Sequence, residues 1–222
     1  MASLKRRYSR KYKHPCGAAT RLPYATLGPM PIPPPRLASL ASLAALAALA
    51  LGGCGSAPGE RPAAAPPPER TARALEGSPP PLARLHAQSN RLLGGGPTAF
   101  ERRLVELRGY PVVVNKWASW CGPCRAEFSH FAAVALDEGR EVAFIGVDAL
   151  DSDRAAAEFL REHPVSYPHY KDPDQKIAKL FRGNASFPTT AFYDRRGRFV
   201  ISLQRFYRSE RELRADIDRY AR

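Results

Sequence analysis

Apolar and polar positions divide the chain into stretches of different texture. Residues 37–51, LASLASLAALAALAL, are an unbroken run of Leu, Ala and Ser. Residues 55–81 hold eight prolines and almost nothing that could enter a core. From about residue 82 onward, apolar positions recur with helical or strand spacing. LARLHAQSNRLL (82–93) sets Leu82, Leu85, Leu92 and Leu93 at loosely helical spacing and ends at Gly94–Gly96. TAFERRLVELRG (98–109) predicts a helix with Thr98 as N-cap, Phe100, Leu104 and Leu107 on one face, and Gly109 as its stop. The three valines of YPVVVNKWAS (110–119) predict a strand buried on both faces.

The pattern then alternates. Residues 122–140 predict a helix with Phe128, Phe131, Ala132 and Ala135 on its apolar side, ended by Gly139. EVAFIGVDAL (141–150) predicts a second buried strand, and SDRAAAEFLREH (152–163) a helix capped by Ser152 and stopped by Pro164. YPHYKD predicts a short strand, and PDQKIAKLFRG (173–183) a helix with Pro173 near its first turn. TTAFYD and FVISLQ flank RRGR as a hairpin, and SERELRADIDRYA closes the chain as a helix burying Leu213, Ile217 and Tyr220. The order α, α, β, α, β, α, β, α, β, β, α implies an α/β domain of three layers with a mixed central sheet, spanning 82–222.

Charge changes the picture at the N-terminus. Residues 1–59 carry eight Lys or Arg and no acid, whereas the remainder has 26 basic and 21 acidic residues. Most of the net charge of +13 therefore lies outside the predicted domain, which argues against a nucleic-acid groove. The apolar run 37–51 is short for a membrane span and suits an export signal. It leads into LGGC, which resembles a bacterial lipobox and marks Cys54 for lipidation; an uncleaved anchor with Cys54 a spectator is the alternative. Residues 1–36 are expected to be an unstructured basic leader. A start at Met30 would give a signal of ordinary proportion and leave Cys16 untranslated; a genuine basic leader is the other reading. Residues 55–81 are expected to act as a proline-rich tether without a fold of its own.

The remaining cysteines carry the chemistry. In WASWCGPCRAEF (117–128), Cys121 falls where a strand ends and a helix begins, facing the positive helix end that favours a thiolate. Cys124 follows about one turn later and deeper. Pro123 is tolerated in the first turn, and Gly122 keeps the approach to Cys121 open. Such a pair exchanges disulfides: one thiolate attacks, the second resolves the mixed disulfide. Half of a metal site and a purely structural staple are the competing readings. Neither is favoured, because His130, His163 and His169 are dispersed and a two-residue loop staples little. No metal or cofactor is expected. Glu127 and Arg125 read first as exposed helix positions, Trp117 as core and Trp120 as the rim of the site.

The motif at that junction resembles the thioredoxin superfamily, and within it the TlpA/ResA-like (DsbE-like) thiol-disulfide oxidoreductases of bacterial envelopes. FPTT (187–190), just before a strand, is similar to the family's cis-proline loop, with Pro188 as the cis residue. The resemblance covers roughly residues 98–222. It implies a thioredoxin-like fold, catalytic Cys121 and Cys124 forming a redox-active disulfide, and a substrate-binding surface of Trp120, Gly122, Pro123, Phe187, Pro188 and Thr189. It also implies protein dithiol or disulfide clients such as apocytochrome c, a membrane dithiol donor or acceptor, and a place on the extracytoplasmic side of the membrane. The Gly-Pro dipeptide matches the low-potential thioredoxin, which favours a reductant over an oxidant. A non-catalytic binding lipoprotein is the third reading. Asn115 and Glu127 are supporting positions: Asn115 stands where cytoplasmic thioredoxins have Asp and cannot accept a proton. Lys116 interrupts the apolar strand; its amine is expected either to snorkel to an edge or to find a carboxylate such as Glu127.

Overall fold

The structure, a computed structural model, describes residues 68–222. The basic leader, the apolar run, Cys16, Cys54 and most of the proline-rich stretch lie outside the described residues.

Seven helices and six strands are described: α1 (Pro68–Ala74), α2 (Pro80–His86), β1 (Leu92–Leu93), α3 (Gly96–Glu106), β2 (Val112–Trp117), α4 (Gly122–Glu138), β3 (Ala143–Ala149), α5 (Asp153–Glu162), β4 (His169–Asp172), α6 (Lys176–Leu180), β5 (Thr189–Tyr193), β6 (Phe199–Leu203) and α7 (Glu210–Tyr220). They build a mixed sheet in the order β1-β4-β3-β2-β5-β6. The first four of these strands run parallel, and β5 and β6 pair antiparallel.

Strand alternation divides the core into two layers. Val113 and Trp117 point to one face, where Phe128 and Phe131 of α4, Phe159 of α5 and Leu213 and Ile217 of α7 cover them. Val112 and Val114 point to the other, against Leu82 and Leu85 of α2, Phe100 and Leu104 of α3 and Ile177 of α6. Both faces of β2 and β3 are buried, which is why residues 112–114 and 143–147 carry no charged residue. This is the thioredoxin-like α/β/α arrangement expected from the sequence.

Four local differences have physical reasons. Leu92 and Leu93 leave the helix and pair in parallel with His169 and Tyr170, because the chain after α2 must cross to the sheet edge. Helix α3 starts at Gly96 with Gly95 at a left-handed φ of 93° as its cap, so Thr98 lies inside the helix instead of capping it. Helix α6 is shorter than predicted; Pro173 stays in the turn, and the Asp172 carboxylate accepts from the Ile177 and Ala178 amides at 2.9 and 2.8 Å. Finally, the expectation that 55–81 has no fold fails for its last part. Residues 68–74 are helical and Leu75 is buried, because even a proline-rich stretch can lay one leucine onto the domain. By contrast, Ser152 caps α5 as expected, its hydroxyl accepting from the Ala155 amide at 3.2 Å.

Candidate active site

Strand β2 ends at Trp117, and four residues later the chain turns into α4. Cys121 is the N-cap of that helix, with extended backbone, and its Sγ accepts from the Cys124 amide at 3.2 Å. Pro123 sits in the first turn, where its missing N–H had no helical partner. The two cysteines form a disulfide, with S–S 2.01 Å and Cα–Cα 5.3 Å. Both cysteines are buried, Cys124 more than Cys121, whereas Gly122 and Pro123 are exposed. The Phe187–Pro188 bond is cis, as the FPTT motif predicts. Pro188 and Thr189 are buried, with the Thr189 hydroxyl donating to the Ser186 carbonyl at 2.9 Å.

Trp120 forms the rim. It is 58% exposed, its ring meets that of Phe187 edge-on at 5.0 Å, and its indole N–H donates to the Leu150 carbonyl at 2.9 Å. Leu150 adopts a left-handed φ of 55° in the loop that also supplies Asp151, which accepts from the Ser119 amide at 2.6 Å. The loop after β3 thus grips the segment between β2 and Cys121 at two successive residues. Arg125 lies on the surface, with its guanidinium over the Phe159 ring.

Two predictions about charged residues need correction. Glu127 is fully buried, not exposed on a helix face. One turn after Cys124, it accepts from the Asn115 side-chain amide at 2.8 Å and from the Tyr207 backbone amide at 2.9 Å. Both donors favour the carboxylate, but burial outweighs them and pushes Glu127 up to about 8. Lys116 neither snorkels out nor meets Glu127. Side chains alternate along β2, so Lys116 points to the opposite face from Asn115, fully buried. Its ammonium donates to Gln175 Oε1 at 3.2 Å and lies 3.7 Å above the centre of the Phe187 ring. Desolvation lowers it to about 8 against the pull of Asp172.

Sequence reasoning missed a third feature. Asn115, Gly146 and His169 lie side by side on three adjacent strands. A Cβ on Gly146 would overlap the His169 imidazole, so the glycine leaves the ring its space. The ring reaches over β3 to Trp117, whose indole N–H donates to His169 Nδ1 at 3.0 Å. An indole nitrogen only donates, so Nδ1 is the acceptor and the ring proton sits on Nε2. Burial lowers His169 to about 3 and keeps the ring neutral. The sequence signal was available: a glycine inside a strand buried on both faces marks a close approach. Asp148, paired with Trp117 across the sheet, was also missed. Burial and the neighbouring carboxylates of Asp151, Asp153 and Asp172 push it up to about 8.

Residues 98–204 match the AhpC/TSA family. Among curated relatives, thiol-disulfide oxidoreductase ResA of Bacillus thuringiensis (strain Al Hakam) is 30% identical over 103 residues, covering 45% of this chain and 58% of the relative. Thiol:disulfide interchange protein HelX of Rhodobacter capsulatus is 36% identical over 92 residues, 41% of this chain and 50% of HelX. The chain thus spans between half and three-fifths of these two relatives' lengths. Among solved structures, that of MTB dsbF in its mixed oxidised and reduced forms aligns with a TM-score of 0.47 at 32% identity, over 51% of this chain and 82% of that one. Within the thioredoxin-like domain, the predicted site residues Trp120, Cys121, Cys124, Phe187, Pro188 and Thr189 gather at one end of the sheet. Asn115 and Glu127 are hydrogen-bonded to each other on the α4 side of the sheet.

Proposed function

We propose that this protein is a thiol-disulfide oxidoreductase acting through Cys121 and Cys124 on protein partners. The observation that carries the reading is the disulfide at the N-terminus of α4, in a site that also holds the cis Phe187–Pro188 bond and an exposed Trp120 rim. In the reduced enzyme the Cys121 thiolate, facing the first amides of α4, attacks one sulfur of a client disulfide. A mixed disulfide forms and the client's other sulfur leaves as a thiolate. Cys124 then attacks Cys121 Sγ, which closes the internal disulfide and releases the second client thiolate. Two electrons pass from the Cys121–Cys124 dithiol to the client. The proton of Cys124 needs an acceptor on the buried side; Asn115 cannot take it, and Glu127, one turn along the helix, takes it in its ionised form, whose raised basicity is close to that of a thiol. A dithiol donor then restores the pair.

The direction we favour is reduction, on the Gly-Pro dipeptide between the cysteines, with the disulfide of oxidised apocytochrome c cysteines as the client type suggested by the resemblance. The apolar run 37–51 and the LGGC motif support reading the setting as extracytoplasmic, with lipid anchoring through Cys54. Equilibration with glutathione tests direction: a reductant requires a potential well below about −200 mV, and a value well above it makes the protein an oxidant. Turnover of insulin disulfides should vanish in Cys121→Ser. Unchanged turnover in that variant would contradict the assignment of Cys121 and favour a binding protein on this scaffold.

A further inference from the structure

Lys116 is a buried cation on a sheet face that it shares with Val112, Val114 and Ala191. Burying an ammonium is costly unless its three donors are met. Among the described residues Lys116 forms no salt bridge, and Gln175 takes one donor. The Asp172 carboxylate is already engaged by the Ile177 and Ala178 amides. The Asp172 charge still attracts the ammonium without a salt bridge, and the closest further compensation is the face of Phe187, 3.7 Å away. That contact is set by register. Lys116 pairs with Thr189 across the sheet, so its side chain reaches past the strand end to the residue just before the cis proline. The Phe187 ring in turn meets the exposed Trp120 indole, itself tied to the Leu150 carbonyl. A buried charge is thus linked through one ring to the rim beside Cys121.

We propose that Lys116 is a positioning residue for client binding: it fixes Phe187, and with it the cis-proline loop and the Trp120 rim, in the shape that receives an extended peptide segment flanking a client cysteine. Lys116 stays out of the thiol chemistry. Without its charge, Phe187 is free to turn, and the peptide must order the loop on binding. Preorganisation is lost, and affinity falls while the chemical step is kept. The inference rests on the exchange activity proposed above.

The test compares Lys116→Met with wild type in insulin reduction driven by dithiothreitol. In parallel, the rate at which dithiothreitol alone reduces the Cys121–Cys124 disulfide is followed by tryptophan fluorescence. The expected result is a KM for insulin raised about tenfold, the size of a desolvated cation–π contact. The kcat and the dithiothreitol rate should stay within about twofold of wild type, since the same dithiol chemistry is retained. Lys116→Arg, which keeps a cation over the ring, should recover most of the loss, and Phe187→Leu should raise KM without adding to Lys116→Met. If Lys116→Met does not fold, Lys116→Gln, polar but uncharged, carries the same prediction. An unchanged KM in a folded, uncharged variant overturns the inference while leaving the activity intact, and so does full additivity with Phe187→Leu. A wild-type protein whose disulfide reacts with dithiothreitol but never with insulin overturns the activity first and this inference with it.

Discussion

Replacing Glu127 by Gln should flatten the pH dependence of stability by a calculable amount. Glu127 is raised from 4.5 to about 8 in the fold, chiefly by burial. A carboxyl raised in this way binds a proton that the unfolded chain releases. Its contribution is therefore complete below pH 4.5 and is lost as the pH climbs through about 8. Between those limits stability falls by about 1.4 kcal/mol per pH unit for each such group. Asp148, raised from 3.8 to about 8, acts with the same sign over nearly the same window. Wild type thus carries two such contributions, and Glu127→Gln or Asp148→Asn should each remove about one. The isostere can be accommodated at Glu127. A Gln carbonyl can accept from the Tyr207 amide, and its NH2 can face Asn115, whose Oδ1 is buried without a partner and becomes the acceptor once that amide flips. Urea unfolding of the oxidised protein between about pH 5 and 7.5 measures the slopes directly. A Glu127→Gln slope equal to wild type would mean that Glu127 is ionised in the fold throughout, a carboxylate of ordinary basicity poorly matched to the thiol proton of Cys124.

Gly146→Ala should lower stability by about 1–3 kcal/mol in urea unfolding, because the new methyl overlaps the His169 ring; a loss near zero would show that the ring can move aside. Trp117→Phe leaves His169 Nδ1 buried without its donor and should cost about 1–3 kcal/mol in the same assay. Leu150→Asn should raise stability by about 0.5–1 kcal/mol, since an exposed leucine gains little at a left-handed φ that asparagine tolerates; a destabilised variant would point to a packing role for the leucine.

Periodicity served well where a segment owes its state to its own pattern. The valines of β2, the hairpin of β5 and β6 and the Ser152 cap of α5 fall where the sequence puts them. The failures share a cause: tertiary contacts overrode local preference. Leu92 and Leu93 continue a helical spacing but pair with β4, and the end of the proline-rich stretch folds because Leu75 finds the core. The two cysteines and Pro188 were legible as motifs. What surrounds them was not. Glu127 looked like a surface residue because the residue packing over it, Tyr207, lies 80 positions away. Lys116 could not be placed from sequence because its partners, Gln175 and Phe187, reach it only through the register of β2 with β5 and the turn before α6.

The central claim is that Cys121 attacks and Cys124 resolves. The most direct measurement is trapping: Cys124→Ser and Cys121→Ser are each reduced, mixed with oxidised insulin, quenched with acid and analysed by mass spectrometry. The account predicts a mixed disulfide through Cys121 that accumulates in Cys124→Ser, and little or none in Cys121→Ser. Equal trapping in both variants, or trapping through Cys124 alone, would contradict it.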